Sequence, residues 1–564
     1  MKNYIKLLKS KFGKYKIDGY VIPKNDDYFT EYSKINRLKI ISNFSGSAGL
    51  AIILKNKNYL FTDGRYTIQS QIESGKNFKI YGFEKLINCN LFNNLTLGID
   101  PKLFTNTQIE NYFLKHNKIK HINKNIIDEI KKQKENKNIP FFSLDKNIVG
   151  ESSKSKINSI SKYLKKNKSD YIFISAPENV AWILNIRGGD GPNSPIPNSR
   201  LIISKSKKIL LISKIKKCKE LIKNKIIKIN EFLDNDELPK KISKLNGKNF
   251  TVDDKSCSIF YENLIKSKFE IVSREDPTYH LKAIKNKTEI NNMINAHILD
   301  GAALTKFLYW IKKINKKKIS EVEAAKKLEN FRKMNKSFLY PSFDTIAGSG
   351  KNGAIVHYRA KKGSCRIIDK KDIFLCDSGG QYKYGTTDVT RTICFSNQSK
   401  KIKNIFTKVL KGHIAVATTN INKDDIGKKI DKRARKFLKR SNLDYAHGTG
   451  HGVGFFLNVH EGPQSITKIN KIKIKEGMIL SNEPGYYKKN KYGIRIENLV
   501  YVEKTNKKLF FKNLTMAPIE KDLINFDLLT NFEKNYLFKY NLDVYSKISK
   551  YLNQNEKKWL AGFI

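Results

Sequence analysis

Asp372–Phe395 reads DIFLCDSGGQYKYGTTDVTRTICF. Its opening alternates, so Ile373, Leu375 and Asp377 fall on one face of a strand. After a Gly/Tyr/Lys turn the extended pattern resumes as TTDVTRTICF (Thr386–Phe395), with Asp388 near its start. Two carboxylates eleven residues apart on adjoining antiparallel strands can point into one cavity. An unpaired buried carboxylate costs several kcal/mol, so an apolar strand that carries one usually has a cation to offset it.

Further along, GMILSNEPGYY (Gly477–Tyr487) is a strand broken by Pro484, which leaves Glu483 at its end. GIRIENLVYV (Gly493–Val502) reads as one alternating strand with Arg495 and Glu497 on the same face. Four acids then need four positive charges, which two divalent cations supply; two metals roughly 3.5–4 Å apart are a recurring device for activating a water between them. HGTGHGVG (His447–Gly454) adds imidazole nitrogen, and its glycines argue for a loop that brings backbone close to the site. One imidazole with four carboxylates is a hard, oxygen-rich set that favours Mn, Co or Fe over a structural zinc. Any one of these acids alone reads as a strand-end or capping residue. Five in glycine-rich contexts, in the order Asp, Asp, His, Glu, Glu, do not.

Towards the N-terminus the chain carries an internal duplication. DGYVIP (Asp18–Pro23) leads to NFSGSAG (Asn43–Gly49) and the strand pair LAIILKNKNYLFTD (Leu50–Asp63). DYIFIS (Asp170–Ser175) leads to AWILNIRGGD (Ala181–Asp190) and the pair RLIISKSKKILLIS (Arg200–Ser213). Each pair has apolar halves around a polar Lys/Asn/Ser turn, the mark of a hairpin. Two similar α/β units follow, with amphipathic helices such as the stretch from Lys154 to Leu164, and KKQKENK (Lys131–Lys137) as a linker. A third unit opens near Leu281 with one long helix, for which Gly301 is a candidate kink.

Composition narrows the function. At 564 residues the chain exceeds a single hydrophobic core, and 40% hydrophobic residues make it globular. The net charge of +55 raises nucleic acid or an anionic membrane as partners, but lysines are scattered through every segment without an aromatic-interleaved stripe, so a solvated surface is expected and no specific nucleic acid. The six cysteines show neither CxxC pairs nor a disulfide framework and read as reduced. No run of about 18 apolar residues and no signal-type leader occurs, so no membrane association is expected and the cytoplasm is the expected compartment.

The chain resembles the pita-bread metallopeptidases, and within them the three-domain Xaa-Pro aminopeptidases. The motifs that carry the resemblance are AGSGKNGAIVHY (Ala347–Tyr358), DSGGQYKYGTTDVTRT (Asp377–Thr392), HGTGHGVG, NVHEGP (Asn458–Pro463), NEPGYY (Asn482–Tyr487) and GIRIEN (Gly493–Asn498). FSGSAG, TDGRY (Thr62–Tyr66), AWILNIRG and LTMAPIEKDLI (Leu514–Ile524) extend it over nearly the whole chain. The resemblance implies an α/β (α+β) protein: a creatinase-like domain at 1–138, a second at 139–282, and a pita-bread catalytic domain with a C-terminal extension at 283–564. It implies Asp377, Asp388, His451, Glu483 and Glu497 as ligands of two divalent metal ions, taken as Mn2+. It makes His357, His447 and His460 groups that bind substrate or shuttle protons, puts Arg495 beside the metals, and implies a homodimer.

The expected reaction is removal of the residue in front of proline at position two of a peptide, by a hydroxide bridging the two metals. Glu483 is the expected base, and His357 or His460 the donor to the developing oxyanion. An X-Pro bond has no N–H, so a proline-shaped pocket must replace that contact, and the free amino terminus limits cleavage to the first residue. Prolidase, creatinase and methionine aminopeptidase share the catalytic domain but carry one N-terminal domain or none. Pita-bread modules that bind histones or RNA have lost ligands, whereas all five stand here.

Overall fold

The computed structural model describes residues 2–87, 91–133, 139–313 and 318–564. Residues 134–137 of the expected linker, and Cys89, lie outside the described residues. The chain divides into two compact units, Met1–Tyr279 and His280–Ile564.

The first unit contains the duplication as two six-stranded sheets. The first sheet is built from β1 (Gly19–Pro23), β2 (Leu50–Leu54), β3 (Asn58–Thr62), β4 (Lys79–Gly82), β5 (Thr96–Ile99) and β6 (Lys118–His121). The second uses β7 (Tyr171–Ile174), β8 (Arg200–Ser204), β9 (Ile209–Ser213), β10 (Phe232–Asp234), β11 (Asn249–Val252) and β12 (Glu270–Ser273). Their orders are β4-β3-β2-β1-β5-β6 and β10-β9-β8-β7-β11-β12. In both, the first strand pairs antiparallel with a hairpin on one side and parallel with a crossover strand on the other. β1, β2 and β8 are buried along their whole length, which explains apolar runs rather than strict alternation. The amphipathic stretch after Gly150 forms α1 (Ser153–Lys166), started by the Ser152 hydroxyl accepting from Ser155 N–H.

The second unit opens on α2 (Lys287–Lys313), which runs unbroken through Gly301. A Cβ there would lie 2.1 Å from the Met516 carbonyl oxygen, so this glycine serves close approach of a second segment rather than a bend. Two antiparallel sheets carry the motifs. One orders β13 (Ile346–Ser349), β14 (Ile373–Ser378) and β15 (Val389–Cys394). The other contains β16 (Gly450–Gly452), β17 (Glu461–Ile466) and β18 (Ile479–Asn482), and a hairpin of β19 (Gly485–Lys488) and β20 (Tyr492–Arg495) follows in the chain. It is completed by β21 (Asn498–Thr505) and β22 (Lys508–Asn513), in the order β17-β16-β18-β21-β22. Helices cover the strands: Leu304, Phe307 and Leu308 of α2 pack with Phe374, Cys376 and Ile393. Ile405, Phe406, Val409 and Leu410 of α3 (Lys400–Ala417) pack with Ile494 and Ile496.

GIRIENLVYV is two strands, not one. The chain leaves β20 after Arg495 and enters β21 at Asn498, because Ile496 N–H bonds to the Pro484 carbonyl and Glu497 N–H to the Thr390 carbonyl. Glu497 therefore sits at a crossing between sheets. HGTGHGVG is likewise not wholly loop, since Gly450–Gly452 forms β16. The described cysteines, Cys218, Cys257, Cys365, Cys376 and Cys394, are all free thiols. No described helix is long and apolar enough to cross a membrane.

Candidate metal centre

The hairpin of β14 and β15 sets the first two acids. Asp377 faces Thr390 across the ladder, and Asp388 immediately precedes β15. Both are buried. Glu483 follows the last residue of β18, with its N–H held by the Thr449 carbonyl, and Glu497 occupies the crossing between β20 and β21. His451 lies on β16, which glycines allow to run against its neighbours: a Cβ at Gly450 would sit 1.9 Å from the Ser481 carbonyl oxygen.

Donor atoms converge in two overlapping groups. Asp377, Asp388 and Glu497 bring carboxylate oxygens within 4.8 Å of one another, and so do the ligand atoms of His451, Glu483 and Glu497. Glu497 belongs to both. His451 Nδ1 lies 2.8 Å from the Gly452 carbonyl, which fixes the proton on that nitrogen and leaves the Nε2 lone pair facing the Asp388 and Glu483 carboxylates at 3.5 and 3.6 Å.

The electrostatics fit cations. Burial, then repulsion from Asp377 and Glu483, pushes the Asp388 carboxyl well above the usual range. Glu497 rises through burial and then Asp388. Asp377 rises through burial although Arg495 Nη2 donates to its Oδ2 at 2.5 Å, and its Oδ1 is buried without a hydrogen-bond partner. Glu483 goes the other way: burial works against it, but His451, His447, Arg495 and His460 together lower it. Three buried carboxylates and a fourth, Glu483, that is half-buried, against one arginine, with a carboxylate oxygen left bare, make a donor set that divalent cations complete. A contrasting cluster, Cys394, Glu520 and Asp522, is already neutralised by Lys312, whose Nζ donates to Glu520 at 2.7 Å and Asp522 at 2.9 Å.

The remaining sites named from sequence surround these acids unevenly. His460 packs edge-on against His451, ring centroids 4.4 Å apart, and its ring lies within 4.8 Å of the Asp388 and His451 ligand atoms. His447 is buried; its Nδ1 contacts the Gly448 carbonyl at 2.7 Å and its Nε2 accepts from the Tyr487 hydroxyl at 2.9 Å. Burial lowers it to about 4, so it is neutral at neutral pH. His357 is half-buried beyond the turn Gly350–Ala354, and the carbonyl of its neighbour Val356 accepts from Arg495 Nη2 at 3.4 Å.

Three residues escaped the sequence reading. Tyr487 links His447 to Arg495, whose Nη1 donates to the same hydroxyl. Thr390 donates to Glu497 Oε2 at 2.7 Å and accepts from Arg495 Nε at 3.1 Å. Arg391, fully buried, donates to the Glu497 carbonyl at 2.6 Å and to those of Pro518 and Ala517 at 2.8 Å. All three lie inside quoted motifs, the only sequence signal they carry.

A family model for metallopeptidase family M24 matches residues 291–504, one for the creatinase/prolidase N-terminal domain matches 131–289, and one for the C-terminal region of M24 matches 507–562. A probable Xaa-Pro aminopeptidase P of Laccaria bicolor is 36% identical over 96% of this chain and 90% of its own length. The chain belongs to the Xaa-Pro aminopeptidase family. Xaa-Pro aminopeptidase 1 of Dictyostelium discoideum is 35% identical over 97% of the chain and 94% of its own length. Among solved structures, the X-prolyl aminopeptidase of Caenorhabditis elegans, described as a cytosolic enzyme with a di-nuclear active site, superposes with a TM-score of 0.91 at 28% identity, covering 100% of this chain and 98% of that one. The prolidase of Pyrococcus horikoshii matches 65% of this chain and 99% of its own with a TM-score of 0.52 at 26% identity. The fold is therefore that of two creatinase-like α/β domains followed by a pita-bread catalytic domain.

Proposed function

We propose that the chain is a metal-dependent aminopeptidase that releases the first residue of peptides with proline at position two. The reading rests on the two overlapping donor groups that share Glu497, in a chain related over 96% of its length to proteins called Xaa-Pro aminopeptidases. Asp377, Asp388, His451, Glu483 and Glu497 would hold two divalent cations. When bound, the pair supplies Lewis acid for the scissile carbonyl and acidifies the attacking water.

The chain's own groups do the rest. Glu483, at the end of β18 and beside His451, is the base that takes the proton of the attacking water. The same carboxyl can return that proton to the proline nitrogen as it leaves. His460, packed on His451, and His357 are the donors available to the carbonyl oxygen as it gains charge. Neutral His447, tied through Tyr487 to Arg495, holds the guanidinium against Asp377. A proline ring offers shape in place of an N–H, so the pocket for the second residue must select by fit.

The same reading takes Mn as the metal, for its affinity for oxygen-rich donors, and a homodimer in the cytosol, the compartment given for the C. elegans relative. It divides the chain at 1–138, 139–282 and 283–564. The test is hydrolysis of Arg-Pro-Pro and Arg-Ala-Pro, with added Mn and after chelation, by wild type and Asp388→Ala. Arginine alone should be released from Arg-Pro-Pro, and the activity should vanish on chelation and in the variant. A folded protein that hydrolyses neither peptide with any divalent metal would sink the reading.

A further inference from the structure

Helix α3 turns one histidine, His413, wholly inside the second unit. Its ring Nδ1 lies 3.1 Å from the Asn482 carbonyl, and the Asn482 side-chain amide donates back to the His413 carbonyl at 2.9 Å. Two main chains are thereby clasped by two reciprocal bonds, both out of water. Asn482 ends β18 and immediately precedes Glu483. The other ring nitrogen, Nε2, is buried without a hydrogen-bond partner. One imidazole on one helix thus stands behind Glu483, the residue after Asn482. Burial and then the Arg391 cation lower the ring to about 3, which keeps it neutral at neutral pH, with a single N–H. The short approach to Asn482 puts that proton on Nδ1. An apolar side chain could fill the same volume but could not grip a carbonyl.

We propose that His413 is a positioning residue for the metal centre: by holding the Asn482 main chain to α3 it sets the direction in which Glu483 presents its carboxylate. This rests on the reading of Glu483 as a ligand. Arg391 performs the matching task on the other side, on the Glu497 carbonyl. Groups that orient metal ligands from behind typically change metal affinity or activity by about 10–100-fold when removed.

The experiment titrates the metal-free, full-length chain with Mn(II) by calorimetry, alongside the apo Tm and steady-state kinetics on Arg-Pro-Pro, for wild type, His413→Asn, His413→Gln and His413→Leu. Asparagine places an amide N–H near the position of imidazole Nδ1, glutamine near Nε2. His413→Leu should bind at least one Mn about 10-fold more weakly and lose kcat, with KM within about twofold of wild type. His413→Asn should recover most of the affinity and of kcat, and His413→Gln should not. Mn binding equal to wild type in all three variants overturns the proposal. So do equal losses in all three that track the apo Tm, which reduce His413 to packing. A folded wild type that binds no Mn instead sinks the ligand reading on which the proposal stands.

Discussion

Asp388 carries the clearest cost of a site built for ions. Buried and facing like charges, it has a carboxyl raised well above its unfolded value, so without metal it favours folding less as pH rises through that range. Asp388→Asn should therefore stabilise the metal-free chain at pH 7, by roughly 1 kcal/mol or more, and the gain should shrink as pH falls towards 4. The same variant should lose the rise in Tm that Mn gives the wild type. Thermal melts with and without Mn at several pH values check both; an apo variant less stable than wild type, beside a wild type indifferent to Mn, would contradict them. At this scale the five proposed ligands and Arg495 were legible, because each is a charged or imidazole residue in a glycine-rich or strand-end setting where a solvated role is hard to arrange. His413, Arg391 and Thr390 were not. Their task depends on which carbonyls and carboxylates lie beside them in space, and nothing in one strand or helix announces that.

Among elements, the short inner strand β16 decides how closely His451 approaches the acids. Its glycines were read as loop-formers; their use is instead to let a strand press against β18 and the Glu461 backbone, where a Cβ at Gly450 or Gly452 would lie 1.9 or 2.2 Å from a carbonyl oxygen. Gly450→Ala should force the strands apart, cost about 1–3 kcal/mol of stability, and weaken Mn binding by moving Nε2 of His451 from its carboxylates. Urea unfolding and a Mn titration measure the two effects; an alanine variant matching wild type in both would mean that β16 can yield. The split of GIRIENLVYV belongs here too. Its alternation is real in each half, but the carbonyls of Pro484 and Thr390 draw Ile496 and Glu497 off the strand path, and those partners are 12 and 107 residues away in the chain. Periodicity reports which side a residue faces; it is silent about which neighbour claims its N–H.

Taken whole, the molecule carries +55 charges on 564 residues, and lysines that repel one another oppose compaction. Added salt screens this over a Debye length of about 10 Å at 0.1 M. The Tm should rise by several degrees between low and moderate NaCl, a trend that differential scanning calorimetry reads directly; a flat or falling Tm would mean that local pairing, not repulsion, governs these lysines. At this scale the duplication was visible in the sequence, because both copies need the same hairpin and the same buried strands. Their shared order, hairpin on one side and crossover strands on the other, is visible only in the folded sheets. By itself, then, the sequence determined the fold class and the family and singled out the acids and histidines proposed for the site, since apolar periodicity and chemically costly residues leave a local trace. Only the tertiary structure decided which oxygens share a neighbour, why the glycines stand where they do, and that His413 meets the Asn482 carbonyl, because these are distances between segments remote in sequence, and a one-dimensional pattern contains no distance.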